Sequence, residues 1–274
     1  MMKLAYWVLV GILVLSIGIM LGSVIGADAV GANVAIIPIT GPITIQGTGD
    51  LLAGDGTSST DVARFIEQAD ETRGIEIILL EINSPGGSAV ASDEITRAVE
   101  RADTPVVAWI REVGASGAYW AASEADYIIA NRMSVTGSVG VMASYIEVAE
   151  LLEEYNMTYQ ELTAGNLKAL GNPFDELSQG ERRLLEEKLE RIHEFFLEDV
   201  SENRNLTDQQ LSEVESGVFF LGIEAYELGL VDALGTRYEV EQYLEEQLEE
   251  PPVYRRFERQ RTFFEELAGV RSPL

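Results

Sequence analysis

Ser116 stands between small residues in Gly114-Ala115-Ser116-Gly117-Ala118, where an apolar strand gives way to an apolar helical run. A hydroxyl so placed can act as a nucleophile, because small neighbours admit a substrate and a helix N-terminus favours a developing oxyanion. The same position also suits an ordinary helix N-cap serine. A second junction, Ser84-Pro85-Gly86-Gly87, ends another apolar run immediately before a helix. Glycine there permits φ > 0 and a close backbone approach, so that an N–H can point outward at an anion. A tight turn that needs glycine for geometry alone would read the same way. Sites in open α/β sheets form at the carboxyl ends of strands, and these two junctions end neighbouring strands. Together they offer one hydroxyl and two amide donors, those of Gly87 and Gly117, for a tetrahedral intermediate.

The constellation lacks a base. Cysteine is absent and His193 is the one histidine, set mid-helix among charges in Arg191-Ile192-His193-Glu194-Phe195, which reads as a surface or interface residue. Lys168 is the candidate base. It lies in Thr163-Ala164-Gly165-Asn166-Leu167-Lys168-Ala169-Leu170-Gly171-Asn172-Pro173, with no other charge between Glu161 and Asp175. A lysine accepts a proton near neutrality only where an apolar setting lowers its pKa, and serine–lysine pairs are a known form of serine hydrolysis. A solvated loop lysine is the alternative. Only three of the 19 basic residues are lysines, and Lys188, in Glu186-Glu187-Lys188, reads as a helix-surface ion pair.

Alternating strands and helices must position these groups. Val34–Ile39, Ile75–Ile82, Val106–Ile110 and Tyr127–Ala130 are predicted strands; Ala91–Arg101 and Ala118–Ala122 are predicted helices. Thr60 or Asp61 is expected to cap a helix running to Ala69, and Gln46–Thr60 reads as a loop. A helix near Ile146–Tyr155, a strand at Tyr159–Leu162 and a long helix from Ser178 to about Glu202 follow; Asp175 or Ser178 begins the last, with Ser178 and Glu181 spaced as a capping box. Gly229 ends the Ile223–Leu228 helix. Right-handed crossovers then give an α/β domain with helices covering a largely parallel sheet.

Before it, Leu4–Ala27 is 24 residues without a charge. As a helix of about 36 Å this run can cross a ~30 Å hydrocarbon core. A transmembrane anchor over 1–27 is expected, a cleavable signal peptide being the alternative. Lys3 on its amino side and the acidic stretch beyond put residues 28–274 outside the cytoplasmic membrane. The body is taken as 28–250. Residues 251–274, PPVYRRFERQRTFFEELAGVRSPL, form a basic, aromatic tail that either docks on the body or a neighbouring subunit or stays disordered.

The 274 residues carry 46 acidic and 19 basic groups, a net charge of −27. Such a surface repels phosphate backbones, which argues against nucleic-acid binding. Acidity of this size with arginine in place of lysine resembles proteins of salt-loving organisms, and poor stability at low salt is expected. An acidic protein of ordinary habitat is the alternative.

The ordered set Ile82-Asn83-Ser84-Pro85-Gly86-Gly87, Ala115-Ser116-Gly117-Ala118-Tyr119, Ala130-Asn131, Thr136-Gly137-Ser138-Val139-Gly140-Val141 and Gly229-Leu230-Val231-Asp232 resembles the signal peptide peptidase A (SppA) serine peptidases, whose fold is shared with ClpP and the crotonases. The likeness spans roughly Val34 to Gly235. It implies that Ser116 is the nucleophile and Lys168 its general base. It also implies that Gly87 and Gly117 form the oxyanion hole and that Ser138 holds the lysine amine by a hydrogen bond. Bacterial relatives often carry Lys-Asp where this chain has Lys168-Ala169, and often a second glycine where it has Ala118. The resemblance implies peptide substrates, hydrophobic ones such as remnant signal peptides, and a membrane-tethered homo-oligomeric ring, with no metal or cofactor. An acyl-CoA enzyme of the crotonase class and a non-catalytic membrane scaffold are the alternatives on the same fold.

Overall fold

A computed structural model describes residues 31–47, 49–50 and 54–259. The expected 1–27 anchor and residues 260–274 lie outside that range; among the described residues no helix is long and apolar enough to cross a membrane.

In chain order the strands are β1 (Val34–Thr40), β2 (Ile43–Thr44), β3 (Gly49–Asp50), β4 (Gly54–Asp55), β5 (Thr57–Ser58), β6 (Ile77–Ser84), β7 (Val106–Ala115), β8 (Tyr127–Ala130), β9 (Val135–Gly137), β10 (Phe219–Leu221), β11 (Ala233–Leu234) and β12 (Tyr254–Arg256). The helices are α1 (Ser59–Asp70), α2 (Ala89–Glu100), α3 (Gly117–Ser123), α4 (Ala149–Glu154), α5 (Gln179–Arg204), α6 (Asp208–Val214), α7 (Gly222–Glu227) and α8 (Arg237–Leu248). The main sheet runs β10-β9-β7-β6-β1-β12, with β8 beside β7 and β11 beside β8. Every pairing in it is parallel except β10 with β9. The expected α/β architecture with a mostly parallel sheet is therefore present.

Both faces of the sheet are covered, which is why β6 opens on the continuous apolar run Ile77–Leu80. Ile78, Leu80 and Ile82 join Ala35, Ile37 and Ile39 of β1 under α1, α2 and α3. Ile77 and Leu79 face the other way, with Val34, Val107 and Ile129, against Val240, Leu244 and Leu248 of α8. On that second face Glu81 accepts from Arg111 at 3.0 Å and from Arg256 at 2.8 Å, tying β6 to β7 and β12.

Several local expectations change. The α1 cap is Ser58, whose hydroxyl accepts from the Asp61 amide, and not Thr60 or Asp61. Ser59 is already buried and bonded to Glu94 at 2.5 Å, which fixes where the helix begins. No strand forms at Tyr159–Leu162; those residues find no partner strand, and a ladder needs one. β7 continues five residues past Ile110, because Val113, Gly114 and Ala115 pair with Val135, Thr136 and Gly137 of β9. The capping box of Ser178 and Glu181 is present, as is the positive φ of Gly229, 76°. The first part of the basic segment is a sheet edge: Val34, Ala35 and Ile36 pair with Tyr254, Arg255 and Arg256, and Phe257 is buried.

Candidate active site

β6 and β7 are adjacent and parallel, so their carboxyl ends bring the two glycine-bearing junctions together. Ser84 is wholly buried; its hydroxyl donates to the Gly41 carbonyl at 2.6 Å and accepts from the Gly86 amide at 3.1 Å, which shapes the turn. Gly86 has φ 90°, and a Cβ built on it would fall 2.7 Å from the Gly117 amide nitrogen and 2.9 Å from Ser116 Cβ. Glycine is therefore required at 86 by both backbone angle and contact. Gly87 is pressed on the other side by β2: Ile43 N–H donates to the Gly86 carbonyl and the Ser88 amide donates to the Ile43 carbonyl. A Cβ on Gly87 would meet that carbonyl oxygen at 2.0 Å.

Ser116 sits at φ 53° and ψ −131°. An L-residue holds that conformation only when its surroundings over-determine it, at a cost of about 1–3 kcal/mol. It occupies the first position before α3, yet its hydroxyl makes no capping bond. Its amide donates to the Gly137 carbonyl at 2.8 Å, and its carbonyl accepts from the Tyr119 and Trp120 amides. The backbone is thus pinned on both sides while Oγ is left over, which disfavours the plain N-cap reading. Gly117 is buried against Ser92, and the position its Cβ would take lies 3.6 Å from the Gly87 nitrogen. Neither the Gly87 nor the Gly117 amide has an acceptor among the described residues. The Ser116 side chain and two amides without an acceptor among the described residues thus lie close together, the set of groups an oxyanion site requires.

The other quoted motifs support this centre. Thr136 donates its hydroxyl to the Gly114 carbonyl at 2.8 Å, clamping β9 to the strand that carries Ser116. Tyr119 is fully buried and donates to the Leu230 carbonyl at 2.7 Å; burial pushes its phenol well above the ordinary range. Asp232 accepts from the Ile128 amide at 2.8 Å and from Arg204 at 2.6 Å, anchoring β8. Ser138, at φ 52°, follows the carbonyl that holds Ser116; its hydroxyl lies 3.4 Å from the Gly217 carbonyl oxygen.

Lys168 makes no hydrogen bond to the residues of this centre among the described residues. It lies in a turn where its amide donates to the Gly165 carbonyl, and its side chain is exposed without a hydrogen-bond or ion-pair partner among the described residues. The surrounding segment, 141–178, bonds chiefly to itself: the Val148 amide to the Pro173 carbonyl, Asn172 to Glu161, and the Leu177 amide to Glu147. It exposes apolar side chains, Met142 at 83%, Ile146 at 81% and Leu162 at 97%. The apolar enclosure expected around Lys168 is not supplied by the chain's own described residues. His193 is half buried, with Nε2 3.0 Å from the Val139 carbonyl oxygen. Ser92 and Ile43 were not marked by any sequence pattern; each acts through contact with a glycine, which no periodicity encodes. No His, Cys, Asp or Glu cluster suited to a metal occurs among the described residues.

Peptidase family S49 matches residues 98–250. A putative protease of Methanocaldococcus jannaschii is 32% identical over 183 residues, covering 66% of this chain and 58% of that protein. Protease 4 of Haemophilus influenzae is 30% identical over 207 residues, covering 74% and 33%. A putative signal peptide peptidase SppA of Enterococcus faecium is 28% identical over 202 residues, covering 73% and 59%. The matched stretch thus spans between a third and three fifths of these relatives' lengths. Among solved structures, a serine-to-alanine mutant of the 1510-N membrane-bound stomatin-specific protease aligns with a TM-score of 0.51 at 14% identity, covering 77% of this chain and 84% of that one; this likeness is one of fold.

Proposed function

The chain belongs to peptidase family S49, of the SppA type, and from that premise we propose a membrane-anchored serine endopeptidase that works by a serine–lysine dyad. The observation that carries the reading is Ser116 itself: a hydroxyl on a backbone of φ 53°, released from capping, near the amides of Gly87 and Gly117, which have no acceptor among the described residues. In the proposed reaction the neutral amine of Lys168 takes the Ser116 proton as Oγ attacks the scissile carbonyl. The tetrahedral oxyanion forms against the Gly87 and Gly117 amides. The ammonium then protonates the leaving amine, and the same amine activates the water that hydrolyses the acyl-enzyme. Ser138 would hold the lysine amine.

For this, Lys168 must reach Ser116 in a shielded setting, through closure of the 141–178 segment or from a neighbouring subunit. The exposed apolar side chains of that segment support its being covered in a homo-oligomeric ring. The uncharged run 4–27 supports anchoring, with the catalytic domain on the extracytoplasmic side and hydrophobic peptides, such as remnant signal peptides, as substrates.

The test is hydrolysis of casein and of a hydrophobic peptide by the full chain, with acyl-CoA thioesters offered in parallel. Ser116→Ala and Lys168→Ala should each abolish peptide cleavage with the fold intact. Full activity in either purified variant, or turnover of the thioester alone, would overturn the reading.

A further inference from the structure

The turn 137–140 is held by more partners than its length requires. Gly137 accepts from the Ser116 amide at 2.8 Å, and the Ser138 amide donates to the Val218 carbonyl at 3.1 Å. At Gly140 a Cβ would come within 3.2 Å of Gly217 Cα. Val139 is wholly buried, and its carbonyl oxygen faces His193 Nε2 at 3.0 Å. A carbonyl can only accept, so Nε2 carries the hydrogen in this contact. Both the neutral Nε2–H tautomer and the imidazolium can donate it.

The helix that carries His193 also grips the other side of the nucleophile. Phe196 stacks on Trp120 of α3 with ring centroids 4.7 Å apart and planes within 15°. Asp199 accepts from Trp120 Nε1 at 2.8 Å and from Arg97. α5 thus contacts α3, which begins immediately after Ser116, and also the turn that bonds the Ser116 amide.

We propose that His193 is a positioning residue, which by donating Nε2–H to the Val139 carbonyl keeps the Ser138 turn, and through it Ser116, in the reactive arrangement. The proposal rests on the peptidase reading for its catalytic consequence. Ser138 is an L-residue at φ 52°, and such a conformation relaxes once its restraints are removed. Losing the donor would also leave the Val139 carbonyl buried and unpaired.

The experiment compares His193→Leu, which keeps bulk without a donor, with His193→Gln, whose amide nitrogen reaches about as far as Nε2, in the full chain. In His193→Leu, kcat should fall about five- to tenfold with KM within about twofold of the parent, and His193→Gln should regain most of the loss. Hydrogen exchange of peptides covering 113–120 and 131–141 should quicken in His193→Leu and return towards the parent in His193→Gln. That readout needs no hydrolysis, so it remains decisive for His193 if the parent proves inactive and the peptidase reading falls. If His193→Leu does not fold, His193→Asn, an amide too short to reach, replaces it in the comparison. Parental kcat and exchange in the donor-free variant, or a glutamine variant no better than it, would overturn the proposal.

Discussion

Substituting Gly117 by alanine tests the oxyanion geometry with the least chemical change. The added Cβ would lie 1.9 Å from Ser92 Oγ and 2.8 Å from Ser92 Cβ, the first about 1.5 Å short of ordinary contact. Ser92 is wholly buried and its hydroxyl donates to the Ser88 carbonyl at 3.0 Å, so it has little freedom to yield. The start of α3 must therefore move by on the order of 1 Å, several times what a hydrogen bond to a developing oxyanion tolerates. Loss of one such donor costs about 10²–10³ in kcat, and overpacking of this kind about 1–3 kcal/mol of stability. At roughly 2–4 °C per kcal/mol for a domain of this size, Tm should fall by about 2–12 °C. Adding Ser92→Gly removes both clashing atoms. The double variant should recover kcat to within about tenfold of the parent, although a glycine in α2 costs about 1 kcal/mol. Peptide hydrolysis and thermal melting of the parent, Gly117→Ala, Ser92→Gly and the double variant read both effects. Parental kcat in Gly117→Ala would refute the assignment of its amide, and a double variant that melts normally but stays inactive would refute the steric argument.

Three further outcomes are expected of the same fold. Ser116→Gly should melt about 2–4 °C above Ser116→Ala, because glycine relieves the φ of 53° that alanine retains, and neither should hydrolyse peptide; equal melting temperatures would remove the strain from the account. Asp70 accepts from the Thr104 amide at 2.7 Å, and hydrogen bonding from Thr104 holds its carboxyl below the usual range. That contribution is present above the unfolded carboxylate value of ~3.9 and is lost as pH falls through the folded value. Asp70→Asn should therefore lower Tm at pH 7 and cease to differ from the parent towards pH 2, and a gap that persists in acid would contradict this. With a net charge of −27, the chain should gain stability steadily between about 0.1 and 2 M KCl, where screening shortens the Debye length to a few ångströms; a flat Tm across that series would discard the saline reading.

What could be read from the sequence was what depends on local pattern. The apolar runs of β1, β6 and β8, the Ser178–Glu181 capping box and the glycine after α7 each carry their cause within a few residues. Pairing is different. β9 is three residues long and exists because β7 offers it an edge, while Tyr159–Leu162 has strand-like spacing and no edge to join. Arg111 and Glu112 look like the end of a strand, yet β7 runs through them because Val113, Gly114 and Ala115 beyond them pair with β9. At the candidate site, the glycines and Ser116 were visible as types in a pattern. Ser92, Ile43 and the donor role of His193 were not, since each depends on a contact across the fold. Lys168 was visible as an isolated charge, but its surroundings belong to a segment that this chain's described residues leave uncovered.

The parallel order of β1, β6 and β7 separates two ends of the molecule. Gly31 leads into the amino rim of the sheet, whereas Gly87 and Ser116 lie beyond the opposite rim, a strand of seven or eight residues away, roughly 23–26 Å. A tether joined ahead of Gly31 would thus enter the sheet at the rim opposite the candidate hydroxyl. For the proposed peptidase, a polypeptide would then have to reach that far rim to be cut.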